Sequence, residues 1–264
     1  MKFSIIIATH NAGKSLNNTL SSILSQTNTD YEVIVIDGVS TDGSQTILKS
    51  YESKFGKKLH WISEPDNGVY DAMNKGIEIA TGEWLYFLGS GDYFIDNEVL
   101  ASVSGEINKY DADVIYGDIQ WGETDIISHG KFSRARLVTL NMNHQTIFCK
   151  KTVFDKVGMF ETKYQIAADY IFNMKWFNDR SIRNRYFHRI ITVYDTTGIS
   201  SVSKDPVFEK ERAEITKKYF PAYVILVSHV LVFFHRISVA LKFLSRGDIS
   251  GLKKRLKERF GDNK

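Results

Sequence analysis

The first ninety residues alternate short apolar, β-branched runs with stretches whose apolar residues recur at helical spacing, and this alternation constrains the fold more than any other feature. The runs cover residues 3–8, 32–37, 59–63 and 83–88. The first, second and fourth are almost unbroken in their apolar character, as parallel strands covered on both faces are. Between them, Leu16, Leu20, Ile23 and Leu24 recur every three or four residues, and so do Ala72, Met73, Ile77 and Ala80, which marks helices. Strand and helix in series give a parallel, doubly wound α/β sheet with right-handed crossovers. Further on, strands are expected near 113–116 and 126–128, a mixed stretch over 136–149, a turn over 158–165 and a helix over 167–178.

In such a sheet, ligands bind beyond the carboxyl ends of the strands. The polar segments there are Thr9-His10-Asn11, Asp37-Gly38-Val39-Ser40, Glu64-Pro65-Asp66-Asn67-Gly68 and Gly89-Ser90-Gly91-Asp92. Three of the four carry acids, which suits a nucleoside and a divalent cation better than bare phosphate. A dehydrogenase would need G-x-G-x-x-G after the first strand, where only Gly13 stands, and the P-loop pattern G-x-x-x-x-G-K-[ST] is absent. No Gly-rich basic loop for a triphosphate follows the first strand, which argues against a nucleotidyltransferase. A receiver domain would explain one strand-end Asp but not four loaded loops.

Asp92 ends a buried run at small residues and can hold a metal; an ordinary turn Asp is the alternative. Asp37 can accept from the imide N–H of a uracil, while Ser40, Thr41 or Asp42 can cap the following helix. The helix after Gly68 carries Asp71, Asn74 and Lys75 on its polar face, and its N-terminus with a lysine suits the anionic end of a ligand. Asp71 with Lys75 is equally a surface i,i+4 pair. Asp169 sits among apolar residues at a helix start, either as a general base or as a helix cap. His144 and Gln145 precede an apolar run and face a cleft on the acceptor side. Lys204, in the polar loop 196–205, is placed to close as a lid.

Taken in order, the segments Ser4-Ile-Ile-Ile-Ala-Thr-His-Asn11, Val35-Ile-Asp-Gly-Val-Ser-Thr-Asp-Gly43, Ser63-Glu-Pro-Asp-Asn-Gly-Val-Tyr-Asp-Ala-Met-Asn-Lys-Gly76, Gly82-Glu-Trp-Leu-Tyr-Phe-Leu-Gly-Ser-Gly-Asp92 and Ala167-Ala-Asp-Tyr170 resemble the bacterial family 2 glycosyltransferases of the GT-A fold, which build O-antigens, capsules and exopolysaccharides. The resemblance spans residues 3–200. It implies an inverting hexosyl transfer from a nucleotide-sugar donor of the UDP type to a glycan or polyprenyl-diphosphate-linked acceptor, with Mn²⁺ or Mg²⁺ as cofactor. Thr9, Asn11, Asp37 and Asp66 would then bind the uridine-type nucleoside. Ser90 and Gly91 would line the donor, Asp92 would be the last residue of a DxD-like metal motif, and Asp169 the base. One base suffices where the metal stabilises the leaving nucleotide; glycoside hydrolysis usually needs a carboxylate pair. On this reading residues 1–110 form the donor half and 111–218 the acceptor half of one GT-A domain, with 219–264 as a tail. Three positions depart from the family pattern: Ser90-Gly91-Asp92 offers one carboxylate, Ala12 follows Asn11 where many relatives place an acid, and Ile171 stands where relatives often have a second Asp.

The net charge of +3 conceals an asymmetry, because residues 235–264 hold nine Lys or Arg against three acids. Residues 222–234 are apolar but broken by Ser228 and His229, shorter than the roughly 20 residues a membrane span needs. With 237–244 and Lys253-Lys254-Arg255 they suit a helix pair lying in the surface of an anionic membrane; a packing helix or dimer contact is the alternative. One cysteine, Cys149, leaves no disulfide framework, and residues 3–8 are too short for a secretory signal. The expected location is therefore cytoplasmic, peripheral at the inner face of the cell membrane, with no nucleic-acid partner. The rival from another class is a non-catalytic scaffold that binds sugar nucleotides or glycans at the membrane.

Overall fold

The computed structural model describes residues 2–128, 130–196 and 204–245. The chain opens with β1 (Phe3–Thr9), α1 (Gly13–Leu24), β2 (Tyr31–Asp37), α2 (Ser44–Phe55), β3 (Leu59–Ser63), α3 (Val69–Ile79) and β4 (Trp84–Phe87). These four strands pair in parallel in the order β3-β2-β1-β4. The chain thus winds outward from β1 to β3 and then crosses back to the other side of β1. The crevice at this switch lies between the carboxyl ends of β1 and β4, where open α/β sheets bind ligands.

The second half adds β5 (Tyr93–Phe94), α4 (Val99–Lys109), β6 (Val114–Trp121), β7 (Ile127–Ser128), α5 (Arg134–Leu137), β8 (Ile147–Lys150), α6 (Lys151–Val157), α7 (Ala168–Asn178), β9 (Asn184–Tyr194), α8 (Pro206–Tyr219) and α9 (Ala222–Ser245). β8 runs antiparallel to both β4 and β6, and β9 runs parallel to β6. The result is a nine-stranded sheet, parallel through its first four strands and mixed beyond them.

The period-two alternation of the strands divides the core into two layers. Ile5, Ile7, Val33, Val35 and Tyr86 pack with Leu16, Leu20 and Ile23 of α1, Leu48 and Tyr51 of α2, and Val99 and Leu100 of α4. Ile6, Ile34, Ile36, Leu85 and Phe87 face the other way, onto Tyr70, Met73 and Ile77 of α3 and onto α6 and α7. Gly76 lets α3 approach β1 closely, since a Cβ there would lie 2.5 Å from Ile6 Cγ2.

α9 departs from the expected helix pair. It is one continuous helix of 24 residues, and its Ala222–Leu241 segment has a mean hydropathy of 2.0 with only 11% buried. This length and composition suffice to cross a membrane. Leu226, Leu231, Phe233 and Phe234 are all more than half exposed. The basic residues from Arg246 onward lie outside the described residues, as do 197–203 of the expected lid loop.

Candidate active site

The loops after β1 and β2 are stitched together by polar contacts. Asn11 turns through the left-handed region (φ +49), donates its N–H to Ser40 Oγ at 2.8 Å and accepts from Thr41 N at 2.9 Å. A His10 ring nitrogen lies 2.7 Å from Gly38 O. Val39 is also left-handed (φ +59), a strained conformation for a β-branched residue. Asp66 reaches the same place from beyond β3: a Cβ on Gly38 would lie 2.6 Å from Asp66 Oδ2, while Asp66 Oδ1 accepts from Gly68 N. Thr9 Oγ1 is buried beneath these loops with no hydrogen-bond partner among the described residues.

Asp37 adjoins this cluster but faces inward. It is 0% exposed and accepts from Ser40 N, Ser40 Oγ and, at 2.6 Å, Ser63 Oγ. Where the sequence suggested contact with a nucleoside, the buried carboxylate pins the β2 loop to the end of β3. The capping expectation for α2 changes too. Gly43 occupies the cap position, and Asp42 accepts from Ser44 N and Oγ.

Two residues expected to bind the substrate are engaged by the chain itself. Both ends of the Asn74 amide are taken by the Phe160 backbone, with Nδ2 donating to O at 2.9 Å and Oδ1 accepting from N at 3.1 Å. Asn74 therefore clamps the segment before α7 onto α3. Lys75 donates to Pro65 O and pairs with Glu64, both at 2.8 Å, with Asp71 at 3.8 Å. The Glu64 hydrogen bond, together with the Glu64 and Asp71 charges, raises the lysine pKa. Its ammonium closes the loop that follows β3.

Asp92 is 3% exposed, and its carboxylate is held from two directions: Asp195 N donates to Oδ1 at 2.7 Å and Gln145 Nε2 to Oδ2 at 2.9 Å. Burial pushes its pKa up, against the pull of these hydrogen bonds. The Asp195 carboxylate lies against Gly91, where a side chain would collide with it. Ser90 is fixed through its carbonyl, which accepts from Ser15 Oγ at 3.1 Å. Among the described residues no three His, Cys, Asp or Glu side chains form a cation cage. Asp92 and Asp195, which meet at Gly91 and the Asp195 backbone, offer the hard carboxylate oxygens that a divalent ion such as Mg²⁺ or Mn²⁺ takes.

Asp169 is not a helix cap. Ala167 holds that position on α7 with no side-chain cap, and Asp205 Oδ2 accepts from Ile166 N and Ala167 N instead. The buried Asp169 carboxylate faces Tyr70 Oη at 3.0 Å on one oxygen and His144 Nδ1 at 3.0 Å on the other. Both residues line a cavity of about 370 Å³ with Trp121, Tyr194, Lys204 and Arg212. The Asp92 and Asp169 sites are joined by neighbouring residues: Gln145 touches the first and His144 the second. Tyr86 Oη donates to Gln145 O at 2.7 Å and so fixes the short turn that carries both.

Asp195, Tyr70 and Asp205 had no assigned site role in the sequence, and Gln145, expected on the acceptor side, instead holds Asp92. Asp195 follows β9, and the strand-tip rule singles it out once β9 is known to belong to the sheet.

The sequence profile of Glycosyl transferase family 2 matches residues 4–185. The PGL/p-HBAD biosynthesis glycosyltransferases of Mycobacterium bovis and Mycobacterium tuberculosis are 35% identical over 228 residues, covering 85% of this chain and 89% of theirs. Among solved structures, Staphylococcus aureus TarS in complex with UDP-GlcNAc superposes with a TM-score of 0.67 at 22% identity, over 82% of this chain. The chain spans 65% of that TarS chain, less than two thirds of its length. The mannosyltransferase PcManGT from Pyrobaculum calidifontis, in complex with GDP-Man and Mn²⁺, superposes with a TM-score of 0.62 at 15% identity, over 95% of this chain and 80% of that one. These likenesses give the fold as the GT-A α/β arrangement, and the profile with the mycobacterial relatives gives the family: the chain belongs to glycosyl transferase family 2.

Proposed function

We propose that this protein is an inverting hexosyltransferase that moves a sugar from a UDP-sugar to a hydroxyl of a glycan, carried on a polyprenyl diphosphate, in surface polysaccharide synthesis of the O-antigen, capsule or exopolysaccharide kind. The observation that carries the reading is the His144-Gln145 pair, which ties the Asp92 carboxylate to the Asp169 carboxylate within one cleft. A transferase needs those two functions side by side, one at the leaving diphosphate and one at the attacking hydroxyl. The UDP-GlcNAc held in the TarS complex supports the donor class.

In this mechanism Thr9, Asn11 and Asp66 receive the nucleoside in the loops that Asp37 organises. Ser90 and Gly91 would line the diphosphate, and Asp92 with Asp195 would hold Mn²⁺ or Mg²⁺. The bound cation would neutralise charge on the leaving nucleoside diphosphate. The acceptor lies in the 370 Å³ cavity, where its oxygen attacks the anomeric carbon from the face opposite the leaving group. Its proton passes to the Asp169–His144 pair. Residues 1–110 serve the donor, 111–218 the acceptor, and α9 with the tail beyond it brings the cytoplasmic enzyme to the membrane that holds the acceptor. The exposed apolar surface of α9 supports membrane contact, and its length suits either insertion or docking.

The test is a panel of nucleotide sugars assayed for divalent-metal-dependent release of the nucleoside diphosphate. Turnover of at least one UDP-sugar is expected. Donor binding without any turnover would instead favour a sugar-nucleotide scaffold.

A further inference from the structure

Both oxygens of the Asp169 carboxylate are already engaged. One oxygen lies 3.0 Å from Tyr70 Oη and the other 3.0 Å from His144 Nδ1. Its side chain is 8% exposed, against 18% for His144. Tyr70 is buried beside Asp169, and both burial and the neighbouring charge hold its phenol well above its ordinary pKa, so it stays protonated as a donor shared between Asp169 and Ile166 O. The imidazole is held differently. An imidazole that donates from Nδ1 to this carboxylate presents its remaining lone pair at Nε2. Nε2 makes no hydrogen bond to a described residue and is not sealed in the core, and the ring lines the acceptor cavity.

We infer that His144 Nε2, not the Asp169 carboxylate, is the atom that takes the proton of the acceptor hydroxyl, with Asp169 as a positioning residue. The inference rests on the glycosyl-transfer reading above. As the acceptor oxygen bonds to the anomeric carbon, the bond from that carbon to the diphosphate oxygen breaks and the nucleoside diphosphate leaves with its electron pair. The hydroxyl proton moves to Nε2, giving an imidazolium stabilised by Asp169, which returns the proton to solvent after release. An Asp that fixes the imidazole tautomer and stabilises the cation fills the third role of a hydrolase triad. The turn at His144–Thr146 holds the ring, because Gln145 is anchored on Asp92 and Thr146 Oγ1 donates to Asn143 O at 2.8 Å.

The experiment compares His144→Asn, which keeps an amide nitrogen near the Nδ1 position but has no basic atom, with His144→Ala. Release of UDP is followed with UDP-Glc, UDP-Gal and UDP-GlcNAc, with water or free sugars as acceptors, and UDP–Mn²⁺ affinity is followed by calorimetry as the control for folding. Both variants are expected to lose about 10² to 10⁴ in turnover, the usual contribution of proton transfer, at unchanged UDP affinity. Imidazole in solution is expected to restore His144→Ala in a saturable way and to do nothing for Asp169→Asn. A His144→Asn variant within about threefold of wild-type turnover would overturn the assignment, since removing a true base costs far more. So would a His144→Ala variant that binds UDP normally and ignores imidazole. If the wild-type chain itself turns over no donor, the parent reading fails, a result separate from either of these.

Discussion

Replacing Ser63 by Ala tests whether Asp37 organises the site or meets the nucleoside itself. Ser63 Oγ donates to Asp37 Oδ2 at 2.6 Å and accepts from Gln45 Nε2 at 3.1 Å. A hydrogen bond to a charged group contributes about 1.5–3 kcal/mol. Ser63 is only partly buried, so water replaces some of it, and Gln45 keeps its bond to Ser40 O at 3.0 Å. The expected cost is therefore about 1.5–2 kcal/mol, toward the lower end of that range. For a chain of this size each kcal/mol moves Tm by about 2–4 °C, so thermal unfolding should shift by about 3–8 °C. The loop over residues 38–42 should loosen at the same time, and UDP affinity measured by calorimetry should fall along with stability. Asp37→Asn should lower both quantities further. An organising role is refuted if Ser63→Ala leaves both unchanged while Asp37→Asn retains wild-type stability and loses UDP binding.

Val39 is β-branched at φ +59, and left-handed backbone costs a non-glycine residue about 1–2 kcal/mol, so Val39→Gly should raise Tm despite the added freedom of the unfolded chain; a lowered Tm would show that Val39 makes contacts that outweigh the strain. Burial raises the Glu32 pKa, but hydrogen bonds from Ser4, Thr81 and Gly82 outweigh it and leave the carboxyl below its ordinary value. The stability that Glu32 contributes is therefore present above the unfolded pKa and lost as pH falls through the folded one. Glu32→Gln should lower Tm at neutral pH, with the gap to wild type closing below about pH 4.5; a gap that widens in acid would reverse the sign. Truncation after Ser228 keeps the buried Val224 and removes most of the exposed apolar surface of α9. It should move the folded protein out of membrane fractions, and unchanged fractionation would count against α9 as the membrane contact.

The N-terminal half was legible because parallel strands advertise themselves as apolar runs and their tips as polar breaks; Asp92 emerges from that rule alone. The same rule missed Asp195. Arg185, His188 and Arg189 interrupt β9, whose first half is partly exposed, so its apolar period is hidden. Helical periodicity placed Asn74 and Lys75 on one polar face correctly, but a face does not say what packs over it, and here it is the Phe160 backbone and Glu64. Ser228 looked like a break in an apolar helix. Its hydroxyl donates to Ile225 O at 2.7 Å, so the polar group is satisfied within the helix and α9 runs on. His144 and Asp169 are 25 positions apart, and only the return of the chain through β8 and α6 brings them together.

Every step of the proposed transfer depends on Asp92 giving a nucleoside diphosphate a metal-dependent seat in this cleft. The decisive measurement is calorimetric titration of UDP into the wild-type chain and into Asp92→Ala, each with and without Mn²⁺. Mn²⁺ should tighten UDP binding to the wild type, and the gain should vanish in the variant while metal-free binding persists. An Mn²⁺-induced gain of equal size in both proteins would contradict the assignment, as would its absence from the wild type.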